Sequence, residues 1–145
     1  MEKGFDREFG LKSTFVFSRR VAFHETDAMG IVHHSNHLKY YEEARVEWLR
    51  DRGLIEHHAP QGAFIFAVIA QEARYFKQMM FDDLVEVWTQ SRLEGLRVYF
   101  QYAIFSPRLG SFVSDGRTTL VPLTSSDRRP IRLPRLFDDL YQTEI

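Results

Sequence analysis

The stretch Val21-Ala-Phe-His-Glu-Thr-Asp-Ala-Met-Gly-Ile-Val-His-His-Ser-Asn-His-Leu-Lys-Tyr-Tyr-Glu-Glu-Ala-Arg45 decides how the rest of the chain is read. A strand-like approach ends at a carboxylate, Asp27. Gly30 then opens the backbone, and a long amphipathic segment begins near Ser35. Leu38, Tyr41, Ala44 or Arg45, and Trp48 recur at helical spacing, so a helix is expected from about Ser35 to Arg52. Ser35 or Asn36 can cap its start, and Gly53, following Arg50 and Arg52, marks its end. A carboxylate beside a helix N-terminus joins a base or nucleophile to N–H donors that can hold a carbonyl oxygen. Those are the two parts of an acyl-transfer site.

Working outward, Ser13 to Phe23 reads as a strand dominated by Phe15, Phe17, Val21 and Phe23. Beyond the helix, Glu56-His-His-Ala-Pro-Gln-Gly62 is a loop, and the period then changes to two. Ala63 to Phe76 is a long strand whose first half, Phe64-Ile-Phe-Ala-Val-Ile69, is apolar on both faces and so expected to be covered on both, by the helix and by a partner. Leu84 to Leu93 alternates, with Val85, Val87 and Thr89 opposite Glu86, Trp88 and Gln90. After a turn at Glu94-Gly95, Leu96, Val98, Phe100, Tyr102 and Ile104 form one face of the next strand. Pro107-Arg-Leu-Gly110 turns the chain into a strand from Phe112 to Leu123, expected to break or bend near Gly116. Ser125 to Pro130 is a loop, and Pro134 to Gln142 a short terminal helix. This order is an α+β fold: an antiparallel sheet with one long helix. One helix cannot cover both faces of five strands, so a face or an edge is left for a second subunit.

A chain of 145 residues with 44% hydrophobic content suits one compact domain, residues 1–145, with a real core. Thirteen Phe, six Tyr and two Trp exceed what a plain core needs and suit apolar ligand pockets and subunit interfaces. The formal net charge of −1 gives no field that would draw nucleic acid. The absence of cysteine excludes disulfides, thiolate metal sites and a Cys nucleophile. Met1-Glu-Lys-Gly-Phe-Asp-Arg-Glu8 has no apolar leader, and no apolar run is long enough to span a bilayer. The expectation is a cytoplasmic protein without membrane insertion.

Asp27-Ala-Met-Gly-Ile-Val32 resembles the acid-glycine signature of the 4-hydroxybenzoyl-CoA thioesterase-like, or YbgC-like, branch of the hotdog-fold acyl-CoA thioesterases. The helix text Asn36 to Arg50 is similar to that family's helix. So are Arg74-Tyr75 with Phe81 to Val87, and the tail Gly116 to Val121 with Arg129 to Pro134. The resemblance implies a five-stranded sheet wrapped around a central helix. It also implies hydrolysis of acyl-CoA or aryl-CoA thioesters by a homodimer or homotetramer, with no metal and no cofactor beyond the CoA of the substrate. It puts the acid at Asp27 and the oxyanion donors at the helix start, around Gly30, His33 and His34, where some members use a His side chain. A Tyr that some members carry four residues before the acid is Phe23 here.

Read on its own chemistry, the Asp27 carboxylate can attack a thioester or activate water, and the sequence leaves both open, alongside a plain turn-forming role. His33 and His37 stand four apart, a zinc-compatible spacing, but no His-Glu-x-x-His accompanies them and no metal site is expected. His34 is the candidate proton-handling or substrate-orienting side chain. Glu42 with Arg45 and Glu47 with Arg50 read as surface pairs, and Glu43 as a reserve acid. Arg128 and Arg129 belong to the densest basic stretch and suit the phosphates of CoA. Arg74 reads as a sheet-face ion-pair residue, and Tyr75 and Phe64 as lining of an acyl pocket or as core. There is no Gly-x-Ser-x-Gly elbow for a serine hydrolase. A non-catalytic acyl-CoA-binding module and a thioesterase acting on acyl carrier protein are the alternatives.

Overall fold

Five strands and one helix account for the described residues, 14–54 and 64–133 of the computed structural model. They are β1 (Phe15–Arg20), α1 (Ser35–Asp51), β2 (Phe64–Tyr75), β3 (Leu84–Glu94), β4 (Arg97–Ser106) and β5 (Ser111–Thr124). The expected loop at 56–62 and terminal helix at 134–142 lie outside the described residues. The strands form one antiparallel sheet in the order β1-β3-β4-β5-β2.

Alternation builds this sheet as the sequence suggests. Val85, Val87 and Thr89 of β3 and Val98, Phe100, Tyr102 and Ile104 of β4 are buried. They meet α1 through Tyr40, Tyr41, Ala44, Trp48 and Leu49. The Trp48 ring meets Phe100 edge-on at 5.1 Å, and Tyr41 stacks on Tyr102 at 4.7 Å. Arg45 is drawn into this core, where it donates to the Tyr102 hydroxyl at 3.0 Å; its pairing with Glu42, at 3.7 Å, is therefore not a plain surface contact. Arg50 and Glu47 pair as expected.

Two expectations are corrected. β1 ends at Arg20, not Phe23: a 3-10 turn, Phe23–Glu25, intervenes, and Phe23 is 75% exposed. The chain turns away there because the Ala22 carbonyl accepts the Glu25 N–H at 3.0 Å and the Ala22 N–H donates to the Glu25 carboxylate at 2.8 Å, closing a turn in place of further pairing. β5 runs unbroken through Gly116. A Cβ at Gly116 would stand 2.5 Å from the Tyr41 ring and 2.8 Å from the Glu72 carbonyl, so glycine is there for close approach rather than for a bend. Within one protomer the apolar half of β2 is not covered on both faces, which leaves a side for the expected partner. The register of β2 with β5 slips between Val68 and Ala70, a bulge that leaves the consecutive Val68 and Ile69 45% and 50% exposed.

Candidate active site

The segment carrying Asp27 folds into a narrow antiparallel loop. Thr26 bridges Val32. The Asp27 N–H donates to the Ile31 carbonyl at 2.9 Å, and at the base the His33 N–H donates to the Glu25 carbonyl at 3.1 Å. Gly30 makes the reversal with φ +76°, and nothing lies within 4 Å of where its Cβ would sit. Its role is backbone freedom rather than room. The loop rests on residues 79–83: the Val32 N–H donates to the Met79 carbonyl and the Phe81 N–H to the Gly30 carbonyl, both at 2.9 Å. That support is braced by Asp83, whose carboxylate accepts the Met80 N–H at 2.9 Å and the Arg108 guanidinium at 2.6 and 3.0 Å.

Asp27 is exposed at the loop tip. Its Oδ1 accepts the Met29 and Ile31 N–H groups at 2.8 and 3.2 Å. Its Oδ2 has no partner among the described residues. The turn-forming role and an available carboxylate oxygen thus coexist in one side chain, one oxygen for each. Around it stand exposed apolar groups: Phe23, Met29 (76% exposed), Met80 and Phe81, with the Phe23 and Phe81 rings edge to face at 5.5 Å.

The start of α1 is organised differently from the expected cap. Neither Ser35 nor Asn36 caps the helix. The Ser35 hydroxyl lies 2.8 Å from His33 Nδ1, and Asn36 Nδ2 donates to the Glu25 carbonyl at 2.9 Å. The physical reason is that the Asp27 loop packs on the first turn and claims its polar side chains. The same contact uses the His33 N–H, so of the two expected oxyanion donors only the His34 N–H has no acceptor among the described residues. His34 directly precedes α1 and has helical φ and ψ of −55° and −31°.

His34 is exposed, its ring 4.3 Å from that of His33 and 6.0 Å from that of Tyr75. Beneath Tyr75 lies His37, buried, with the two rings edge to face at 4.8 Å. His37 Nδ1 is 2.8 Å from Ser114 Oγ, which is 2.7 Å from the Tyr41 hydroxyl. Burial, and then the neighbouring His34, pull the His37 pKa down to about 4. Among the described residues no group of three His, Asp or Glu side chains could hold a metal ion.

Other expected residues are not brought together. Phe64 and Tyr75 are the two ends of β2, eleven residues or about 36 Å of strand apart. They cannot line one pocket within a protomer. Arg128 and Arg129 follow β5 on the side of Phe64, which pairs with Thr124. That is about 33 Å of strand from Ser114, which pairs with Tyr75. Arg129 lies 3.5 Å from Asp127. Arg74 is the ion-pair residue expected, bidentate to Asp115 at 2.9 and 2.5 Å.

One cluster escaped the sequence. Arg19 of β1 binds both oxygens of Glu25 at 2.8 and 2.9 Å and both of Glu43 at 2.9 and 3.0 Å, with its guanidinium 3.9 Å over the Tyr40 ring. Glu43 is therefore engaged rather than a free reserve acid. The Tyr40 hydroxyl and the Ala22 N–H add bonds to Glu25 at 2.7 and 2.8 Å. Burial alone would raise the Glu25 pKa; the Ala22 amide, Tyr40 and Arg19 outweigh it and hold the carboxyl below its usual range.

A five-stranded antiparallel sheet carrying one long helix, with an acid loop at the helix start, defines the hotdog class. The chain belongs to the thioesterase-like superfamily, whose family model matches residues 21–142. It is 27% identical over 122 residues to the acyl-CoA thioester hydrolase YbgC of Escherichia coli O6:H1, covering 80% of this chain and 87% of that one. A solved protein from Aquifex aeolicus is 29% identical with a TM-score of 0.78, over 88% of this chain and 98% of the other. The DHNA-CoA thioesterase of Staphylococcus aureus is 26% identical with a TM-score of 0.77, over 89% and 87%. Among the described residues no helix is long and apolar enough to cross a membrane.

Proposed function

We propose that this chain hydrolyses acyl-CoA thioesters to the free acid and CoA, with Asp27 as the reacting acid and the His34 N–H as donor to the thioester oxygen. The observation that carries this is the divided carboxylate: Oδ1 is bound by two amides of its own loop, while Oδ2 is open beside the N-terminus of a 17-residue helix. Oδ2 can attack the thioester carbon, which breaks the C–S bond, releases CoA thiolate and leaves a mixed anhydride for water to hydrolyse. Alternatively Oδ2 takes a proton from a water that attacks directly. On either route negative charge grows on the carbonyl oxygen, where a fixed N–H at the positive end of the helix dipole lowers the barrier. The exposed His34 ring, beside Tyr75, is the group to orient substrate or carry a proton. No step requires a metal ion or a cofactor.

The apolar surroundings of Asp27 favour an apolar acyl or aryl group, and the matches to named acyl-CoA thioester hydrolases favour CoA as the carrier. We place the protein in the cytoplasm, as a homo-oligomer. Arg128 and Arg129 would serve CoA phosphates from the far end of a second copy: antiparallel pairing of two β2 edges about a two-fold axis sets the Phe64 end of one beside the Tyr75 end of the other.

Steady-state hydrolysis of short, long and aromatic acyl-CoA esters, read by thiol release, tests this. A folded Asp27→Asn protein should lose about a hundredfold or more in kcat while still binding CoA esters. Undiminished turnover by Asp27→Asn would refute the assignment. An inactive wild type that still binds CoA compounds would point to a binding module, and activity confined to carrier-protein esters would change the substrate. A single turnover in ¹⁸O water adds a one-way test: label in the Asp27 carboxylate arises only from the anhydride, when water attacks its aspartyl carbon.

A further inference from the structure

We propose that Glu25 and Asn36 are positioning residues that set the separation between the Asp27 carboxylate and the His34 N–H. This rests on the roles given to Asp27 and His34 above and extends them to two buried residues that touch neither substrate nor reacting atoms.

The Glu25 carbonyl accepts two bonds, from the His33 N–H at 3.1 Å and from Asn36 Nδ2 at 2.9 Å. The first closes the base of the Asp27 loop. The second ties that base to the first turn of α1. One oxygen therefore joins the element carrying the acid to the element carrying the oxyanion donor. It is a fixed oxygen, because the Glu25 side chain is held at four points: two contacts with Arg19, one with the Tyr40 hydroxyl and one with the Ala22 N–H. Those donors come from β1, from α1 and from the chain leaving β1 and fix the residue, while the N–H of the same peptide unit, on Thr26, donates to the Phe23 carbonyl at 3.1 Å and holds the carbonyl's direction.

The returning limb of the loop is tied to residues 79–81, by the Phe81 N–H on the Gly30 carbonyl at 2.9 Å and the Ile31–Met80 bridge, whereas Asp27, Ala28 and Met29 bond only within the loop among the described residues. The side chains of Asp27, Ala28 and Met29 are exposed, so no buried packing corrects a displacement at the base. Any shift of the Glu25 carbonyl passes along the main chain to Asp27, two residues on. Acyl transfer is sensitive to such shifts, a misplacement of about 1 Å costing on the order of a hundredfold in rate. Asn36 is suited to this role because its amide nitrogen donates to a carbonyl; a carboxylate in its place would set two acceptors against each other.

The test compares kcat, KM and melting temperature for Asn36→Ala, Asn36→Asp, Glu25→Gln and Asp27→Asn, with Val98→Ala as a control that loosens the core at the far side of β4. Asn36→Ala should lower kcat tenfold to about a hundredfold with KM within about threefold of wild type, and Asn36→Asp should be at least as impaired. Val98→Ala should lower the melting temperature with kcat unchanged. A merely structural role for Asn36 would instead make it behave like Val98→Ala. If folded Asn36→Ala keeps kcat within twofold of wild type while Asp27→Asn is inactive, the positioning role is wrong and the assignment of Asp27 stands. If Asp27→Asn itself keeps full turnover, both fall. Should Asn36→Ala fail to fold, Glu25→Gln supplies the same comparison, since it weakens the Arg19 anchor while preserving side-chain shape.

Discussion

His37 enters the core as a neutral ring, and that has a consequence for stability. Its pKa is pulled from 6.5 to about 4 in the folded protein, by burial first and by His34 second. Between those values the unfolded chain binds more protons than the native one, so stability rises with pH across the window and is lost as pH falls from about 6.5 toward 4. At full extent this is on the order of 3 kcal/mol. Urea denaturation of wild type at pH 7.5 and pH 5 should show the loss, and His37→Gln should flatten it. Equal slopes in the two proteins would mean that His37 is not the group responsible. Glu25 acts lower on the scale. Its folded pKa lies below 4.5, so its contribution is complete above that value and disappears as pH falls through the folded value. Gly30 is a matter of backbone alone. At φ +76° an L side chain is strained by about 1–2 kcal/mol, and Gly30→Ala should lose that much stability in the same denaturation experiment, with kcat falling as the Asp27 loop reopens.

At the level of elements, Gly116 shows how tightly α1 lies on the sheet. An alanine there meets the Tyr41 ring on one side and the Glu72 carbonyl of β2 on another, and neither is the free end of a flexible chain. Gly116→Ala should cost about 1–3 kcal/mol, which calorimetry would record as a melting temperature lowered by several degrees. An unchanged melt would show that α1 can lift off β5 without penalty. This contact also marks where sequence periodicity stops being informative. α1, β3 and β4 are legible because each puts an apolar face on the core, so a period of 3.6 or 2 is written into the chain, although Gln90, Gln101 and Ala103 on the opposite face of the sheet are buried as well. That Asp27, Gly30 and His34 are neighbours in space is legible because loop and helix start are contiguous in the chain; their roles remain those proposed above. Gly116 reads as a strand breaker when only its own strand is considered; its real partner, Tyr41, is seventy-five residues earlier and on another element. The Arg19, Glu25 and Glu43 cluster has no local pattern either, since it exists only where β1, the turn and α1 cross. The bulge at Ile69 depends on a register with β5 that no pattern within β2 contains.

For the molecule as a whole, the sheet order leaves β2 at an edge, with β5 its only neighbour in the sheet among the described residues and twelve residues of backbone on its other side. The opposite edge, β1, has only six residues. A long edge carrying exposed Val68, Ile69 and Tyr75 is a template for another strand, and the simplest occupant is the β2 of a second copy about a two-fold axis. The same edge ends at Tyr75, beside His34, so association and activity should be linked. Sedimentation velocity should find the wild type as a dimer or tetramer. Replacing both Val68 and Ile69 with lysine places like charges across the pairing line and should yield folded monomer with kcat lowered about tenfold or more. A monomeric wild type would remove the second copy from the mechanism. A lysine variant that stays dimeric and active would move the interface to another face. A monomeric variant with undiminished kcat would show that one protomer holds the complete site and that Arg128 and Arg129 of a second copy contribute nothing to turnover.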